Sequence, residues 1–249
     1  MELLNRAETT AGAEHASLSA HASALDVMSL APNYHNWILD TIIPFIGSRV
    51  GEVGGGIGSI SAALPDRERL VVVDNDPVCC RRLHERFDDQ DNVRVLEGDI
   101  LDRHVVEDLA AERLDTVVCV NVLEHIAADM AALQSMYDLL QPGGRLIVFV
   151  PALPMLYGSI DAEVGHVRRY RRRELRDKVS AVGFTVERCR FFNSVGAASW
   201  LVAGRVRRQQ AIRANEVRIY DRFFVPVLSR AERVIPPPIG QSLVIVGRK

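Results

Sequence analysis

The sequence predicts an α/β fold in which a largely parallel sheet is covered by helices on both faces. Apolar runs of strand length alternate with helix-like segments from about residue 49 to residue 150. The first run passes straight into a glycine-rich turn, Glu52-Val53-Gly54-Gly55-Gly56-Ile57-Gly58. With 249 residues, 48% of them hydrophobic, the chain can bury both faces of such a sheet in a single domain over 1–249. Strands that read as continuous apolar runs belong to parallel sheets buried on both sides.

The elements follow in order. Residues 1–30 are rich in Ala, Ser and Glu with weak periodicity, and read as a frayed helix or a mobile arm. Apolar positions at Trp37, Ile38, Ile42, Ile43, Phe45 and Ile46 predict a helix over 34–46, completing an N-terminal helical arm over 1–48. Next come strand 49–53, helix 58–64, strand 69–74, helix 77–87, strands 92–97 and 115–120, helix 128–139 and strand 144–150. Asp76-Pro77 supplies an N-cap followed by a proline suited to a first helical turn. Pro142-Gly143-Gly144 stops the helix before the strand at 144. A helix over 172–182 and strands over 185–191 and 242–247 close the series. The intervening 192–240 carries apolar runs at Trp200 to Ala203 and Tyr220 to Leu228 and ends in Pro236-Pro237-Pro238. It is too long for a hairpin, and reads as a helical insertion serving as a lid over a substrate or as a homodimer surface.

Composition removes several function classes. A formal net charge of −2 gives no global attraction to nucleic acid. No run reaches the roughly 20 apolar residues of a membrane span, and the N-terminus lacks the apolar core of a signal peptide. Cys79, Cys80, Cys119 and Cys189 show no Cys-x-x-Cys spacing and suit a reducing cytoplasm.

The glycine spacing decides the ligand. A nicotinamide fingerprint needs Gly-x-Gly-x-x-Gly/Ala, yet the last position is Ser59 counting from Gly54 and Ser61 counting from Gly56. An acid followed by x-Gly-x-Gly-x-Gly matches instead, through Glu52, Gly54, Gly56 and Gly58. In order after it come Leu70-Val71-Val72-Val73-Asp74, Glu97-Gly98-Asp99-Ile100, Asn121-Val122-Leu123-Glu124-His125-Ile126 and Leu139-Leu140-Gln141-Pro142-Gly143-Gly144-Arg145. Over these roughly 100 residues the chain resembles the small-molecule subgroup of class I S-adenosylmethionine-dependent methyltransferases.

That resemblance implies a Rossmann-like methyltransferase fold with a seven-stranded mixed sheet, its last two strands forming an antiparallel edge. It implies S-adenosylmethionine as cofactor, with Asp74 on the ribose hydroxyls, Asn75 beside it, Asp99 on the adenine amine and Ile100 against the ring. Glu52 would order the glycine loop and hold the methionyl end, with Tyr34 near the cofactor carboxylate and Asn121 at the end of the fourth strand. After the fifth strand, Tyr157 and the element Gly165-His166-Val167-Arg168-Arg169-Tyr170 resemble a substrate-facing segment of related small-molecule enzymes. His166 is accordingly the first candidate base and His125 the second, histidine being suited to proton transfer near neutral pH. Arg168 and Arg169, with Tyr157 and Tyr170, would bind the acceptor, and the two guanidinium groups would suit an anionic one. In the ubiquinone-pathway methyltransferases that share the Leu-Glu-His core, an earlier glutamate precedes it, and acidic and His residues are associated with a divalent metal. Here that position is Asn121, so no metal is expected. A non-methylating or scaffold protein of the same fold and a nicotinamide-dependent oxidoreductase are the alternatives.

Overall fold

A computed structural model describes residues 25–64, 66–206 and 213–249, and at 204–206 the backbone alone. Seven strands form one sheet: β1 (Arg49–Val53), β2 (Arg69–Asp74), β3 (Val93–Glu97), β4 (Leu114–Val120), β5 (Leu140–Pro151), β6 (Thr185–Phe192) and β7 (Ser242–Arg248), in the order β3-β2-β1-β4-β5-β7-β6. β1 pairs in parallel with β2 and β4, as do β2 with β3 and β4 with β5. β7 runs antiparallel to both β5 and β6, which gives the mixed edge expected from the resemblance. The order reverses between β1 and β4, and open α/β sheets bind ligands at the strand C-termini beside such a reversal.

Strand periodicity builds two cores. In β2, Val71 and Val73 enter one apolar cluster and Leu70 and Val72 the other; β5 divides likewise, Leu146 and Val148 against Ile147 and Phe149. The first cluster is closed by helices α3 (Arg103–Ala110), α4 (Asp129–Leu139) and α6 (Arg172–Ala181), through Leu109, Leu133, Met136, Leu175 and Val179. The second is closed by α1 (Pro32–Ile42) and α2 (Pro77–Phe87), through Trp37, Ile38, Ile42, Leu83 and Phe87. Asp76 caps α2 as its sequence predicts, accepting from Val78 N at 2.8 Å.

The expected helix over 58–64 does not form. Positive φ angles at Gly54, Gly56 and Gly58 spend the chain on left-handed turns, and the proline after Leu64 disfavours a helical conformation there. Only a single 3₁₀ turn, Ser61–Ala63, remains. α3, which the sequence pattern leaves unassigned, starts at Asp102, whose carboxylate accepts from His104 N at 2.9 Å. A five-residue helix, α5 (Ser159–Glu163), lies in the segment after β5.

Where described, the 192–240 insertion is helical from Ser194 to Val234: α7 (Ser194–Trp200) continued by a π-helical stretch, then α8 (Ala214–Ile219), a π-helical Tyr220–Phe224 and α9 (Val225–Val234). Residues 207–212 of the insertion and 1–24 of the expected N-terminal arm lie outside the described residues. Two buried acids pin the insertion down. Asp221 accepts from Asn33 N (3.2 Å), Asn33 Nδ2 (3.0 Å) and Tyr34 N (2.8 Å), so it caps α1 from 188 positions away. Glu232 accepts from Asn193 N (2.9 Å) and from Ser194 N (2.8 Å) and Oγ (2.7 Å) at the start of α7.

At the opposite end of the sheet, Glu112 gathers three strands. Its carboxylate takes a two-pronged pair from Arg69 of β2 (2.8 and 3.0 Å) and a third contact from Arg94 of β3 (2.9 Å), while its carbonyl accepts from Arg49 of β1. The hydrogen bonds from Arg69 and then Arg94 outweigh partial burial and hold the carboxyl down at about 2. A carboxyl depressed by folding adds stability above its unfolded value near 4.5 and loses it as pH falls toward 2. The linked contribution is about 3 kcal/mol at neutral pH. Glu112→Gln is therefore predicted to lower stability by about 2–3 kcal/mol at pH 7, and by much less at pH 3. Urea titrations at the two pH values check this, and an equal loss at both would refute the clamp.

Candidate functional site

One cavity of about 610 Å³ lies above the C-terminal ends of β1, β2 and β4. Its floor is the glycine loop. Gly54 N and Gly55 N donate to Val73 O (2.8 and 3.2 Å), tying the loop to β2, and Gly56 N donates to Asp74 Oδ2 at 2.7 Å. Gly54 and Gly56 have φ of +74° and +54°, a region that favours glycine. A Cβ on Gly54 would also collide with Val122, whereas Gly56 is backed only by Leu25. Gly58 does not line the cavity and instead packs against Leu83 and Arg86 of α2.

Acids ring this floor. Asp74 ends β2 with Oδ1 accepting from Asp76 N (2.9 Å) and Oδ2 from Gly56 N, which leaves each oxygen a second lone pair. Asn75, Asp99 and Ile100 line the neighbouring wall; Asp99 Oδ1 accepts from Leu101 N at 2.9 Å and so shapes the turn that presents them. Asn121 takes φ of +54° as β4 ends, its N–H held by Phe149 O at 2.8 Å. Glu52 is buried beneath the loop with Oε2 lacking a partner, and burial pushes its carboxyl up to about 8. Tyr34 lines the far side, its phenol pushed up to about 12 by burial.

These residues test the fit of the expected cofactor. A double acceptor at the end of β2, a floor of glycines without side chains and a buried carboxylate oxygen in need of a donor match its ribose, its close-lying chain and its ammonium. Asp74, Asp99 and Glu52 are the residues that would hold it.

The opposite wall is built on a buried ion cluster. Asp161 in α5 is fully buried, and its Oδ1 accepts from both His166 Nδ1 and Arg169 Nε at 2.8 Å. Its Oδ2 accepts from Gly158 N (3.0 Å) and from Trp200 Nε1 (3.1 Å) at the end of α7. Burial works against the charge, but these donors hold Asp161 below the usual carboxylate range. Arg169 is buried too, donating to Ala152 O at 3.0 Å and lying 5.0 Å over the Trp200 ring. His166 Nε2 stands 3.7 Å from Glu124 Oε1, and its ring meets His125 edge-on at 4.7 Å. Glu124 is wholly buried, neither carboxylate oxygen has a hydrogen-bond partner, and burial pushes it up to about 7.

The structure thus brings Tyr34, Glu52, Gly54, Gly56, Asp74, Asn75, Asp99, Ile100, Asn121, His125, His166 and Arg169 to one cavity. Three expected acceptor contacts go elsewhere. Arg168 donates to Asp129 Oδ2 (2.7 Å) and Ala127 O, and Tyr170 is buried with its hydroxyl on Leu123 O and the same Asp129 oxygen. Side chains of an extended stretch alternate sides, so Arg168 and Tyr170 face Asp129 while Arg169 faces Asp161. Tyr157 is a strap outside the cavity, its hydroxyl donating to His166 O at 2.7 Å. Trp200 lines the cavity but gives no sequence signal beyond an apolar run.

One side-chain grouping bears on the expectation of no metal. Glu124, His125 and His166 each offer a ligand atom within 4.8 Å of the others. The sequence spacing hides this, because His166 stands 41 positions beyond His125 and reaches it only through α5. With Asp161 on Nδ1, His166 has the outer carboxylate common behind metal-bound histidines.

Comparison with known proteins agrees with this geometry. Residues 50–144 match the family model of a methyltransferase domain. An ornithine lipid N-methyltransferase of Singulisphaera acidiphila is 36% identical over 101 residues, 37% of this chain and 52% of that one. A ubiquinone biosynthesis O-methyltransferase of Xanthomonas euvesicatoria is 34% identical over 119 residues, 44% and 46% of the two chains. The chain spans about half the length of these curated relatives. The N-methyltransferase NodS of Bradyrhizobium japonicum, solved with S-adenosyl-L-homocysteine, shares the fold at 17% identity with a TM-score of 0.55, covering 87% of this chain and 85% of its own. Residues 50–144 thus match a methyltransferase domain in sequence, and the chain shares the fold of a methyltransferase solved with S-adenosyl-L-homocysteine.

Proposed function

We propose that the chain moves a methyl group from S-adenosylmethionine to an oxygen, nitrogen or carbon of a small-molecule acceptor. The observation that carries this reading is the single cavity in which the glycine loop, Asp74 and Asp99 on one side face His166, Arg169 and Trp200 on the other. The bound cofactor supplies the activated methyl group. The protein's share is alignment of acceptor and donor, an effect that can contribute about 7–11 kcal/mol. Asp161 accepts the Nδ1 proton of His166, which leaves Nε2 free to take a proton from an acceptor hydroxyl or amine. Trp200 makes the 192–240 insertion the outer wall of the acceptor side.

Charge balance narrows the acceptor. Both guanidinium groups expected to attract an anion are already paired, Arg168 with Asp129 and Arg169 with Asp161. Glu124 adds a carboxyl with no donor of its own. A neutral or basic acceptor fits such a wall better than an acidic one. The two curated relatives named above carry N- and O-methylation in their names. No helix among the described residues is long and apolar enough to cross a membrane, and four buried free thiols favour a cytoplasmic setting.

The orphaned Glu124 favours a second reading, in which Glu124, His125 and His166 hold a divalent cation. Such an ion would supply Lewis-acid polarisation of an acceptor oxygen.

Three outcomes are expected. Asp74→Ala should lose charge-assisted hydrogen bonds worth roughly 1.5–3 kcal/mol and weaken S-adenosylmethionine at least about tenfold by calorimetry, with folding retained. Binding of NAD in place of S-adenosylmethionine would sink the assignment. His166→Ala should cut turnover roughly 100- to 10,000-fold for a hydroxyl acceptor and leave cofactor affinity unchanged. Wild-type turnover across pH 6–9 would remove His166 from the chemistry. Titrating Mg²⁺, Mn²⁺ and Zn²⁺ into chelator-treated protein separates base from metal ligand: heat that Glu124→Gln abolishes supports the cation, and no heat with any ion supports the base.

A further inference from the structure

The outer face of the insertion is apolar where a soluble surface is ordinarily polar. Along α8, Tyr220–Phe224 and α9, Ile219, Phe223, Val227 and Val234 recur at spacings that keep them on one helical face, and Phe223, Val227 and Val234 are 62, 64 and 79% exposed. The following Ile235 and Ile239 are exposed as well. A cluster of large apolar side chains of this kind marks an interaction surface.

Its charge is just as one-sided. The segment 213–239 contains three acids, and two of them, Asp221 and Glu232, are turned inward to hold backbone N–H groups of α1 and α7. The third, Glu216, lies 3.9 Å from Arg213. Arg218, Arg222, Arg230 and Arg233 are all exposed on this segment, Arg222 lying 5.7 Å over the Phe223 ring and Arg233 pairing with Asp40. The protein as a whole has a formal charge of −2, so this concentration is local.

We propose that this face docks on the surface of an anionic lipid bilayer. Apolar side chains flanked by arginines on one side of a helix are the pattern of helices that lie in the bilayer interface, where rings and aliphatic groups enter the acyl boundary and guanidinium groups meet lipid phosphates. Arginine suits both kinds of contact, having a long apolar stem and a planar donor fork. A second copy of the chain is the poorer occupant: a two-fold contact would set the arginines against their own counterparts with Glu216 as the sole exposed acid of the segment. The face is coupled to the cavity, since Asp221 ties it to the start of α1, whose Tyr34, His35 and Ile38 line the cavity wall. Docking of this face depends on the surface alone and not on the methyl-transfer reading.

Vesicle sedimentation with the full chain tests it. Wild type should partition onto vesicles of equal phosphatidylglycerol and phosphatidylcholine at 0.1 M NaCl at least tenfold more strongly than onto phosphatidylcholine alone, and 0.5 M NaCl should remove most of the difference. Phe223→Ser with Val227→Ser should lower partitioning at least tenfold, and Arg222→Gln with Arg230→Gln should abolish the preference for the anionic vesicles. These side chains are exposed, and circular dichroism with S-adenosylmethionine calorimetry confirms that each variant folds. Equal sedimentation of wild type and the Phe223/Val227 variant would overturn the proposal. So would a dimer in analytical ultracentrifugation that this variant dissociates, without binding of wild type to either vesicle.

Discussion

One wall of the cavity depends on one carboxylate. Asp161 accepts four donors from three stretches of chain: the backbone of Gly158, the side chains of His166 and Arg169, and the indole of Trp200. A charge so deeply buried is tolerable only when fully paired, and here pairing and positioning are the same act. The imidazole acquires a fixed orientation, the guanidinium is neutralised, and the insertion is fastened to the segment after β5. Loss of this anion would leave Arg169 as a buried unpaired cation and free His166 to rotate.

The buried carboxylates fall into two groups. Asp129, Asp161, Asp221 and Glu232 are each satisfied by several protein donors. Glu52 and Glu124 are the exceptions among the described residues, each with an unpartnered oxygen and a carboxyl raised by burial. Leaving a buried acceptor unmade is costly, and both exceptions lie beside the cavity. They are the places where the fold asks for a donor from outside the chain.

How much of this the sequence disclosed follows from the range of the interactions. The glycine loop and the strand ends beside it were legible because their signals are local: glycine spacing before a turn, an acid at the end of each of two strands, and a cap with a proline opening α2. The antiparallel edge was legible only through the family resemblance. The helix expected at 58–64 fails because Ser59 to Leu64 has helical composition but sits between a positive-φ glycine and a proline. On the opposite wall the decisive contacts span tens of residues, so Gly165 to Tyr170 read as uniformly substrate-facing, whereas alternation sends Arg168 and Tyr170 to Asp129. Trp200 was marked only by an apolar run, and the approach of His166 to the Glu124–His125 pair had no local mark.

The position of β7 has a consequence for biosynthesis. Ser242–Arg248 is the last strand in chain order, yet it occupies an interior place between β5 and β6. While the ribosome is still making residues 193–241, β6 has no neighbour to bond with, and one flank of β5 stands open. The nascent chain therefore carries unsatisfied strand edges on β5 and β6, with the apolar helices of the insertion emerging beside them, until β7 has left the ribosome. Such edges invite pairing with other chains until β7 emerges and covers them.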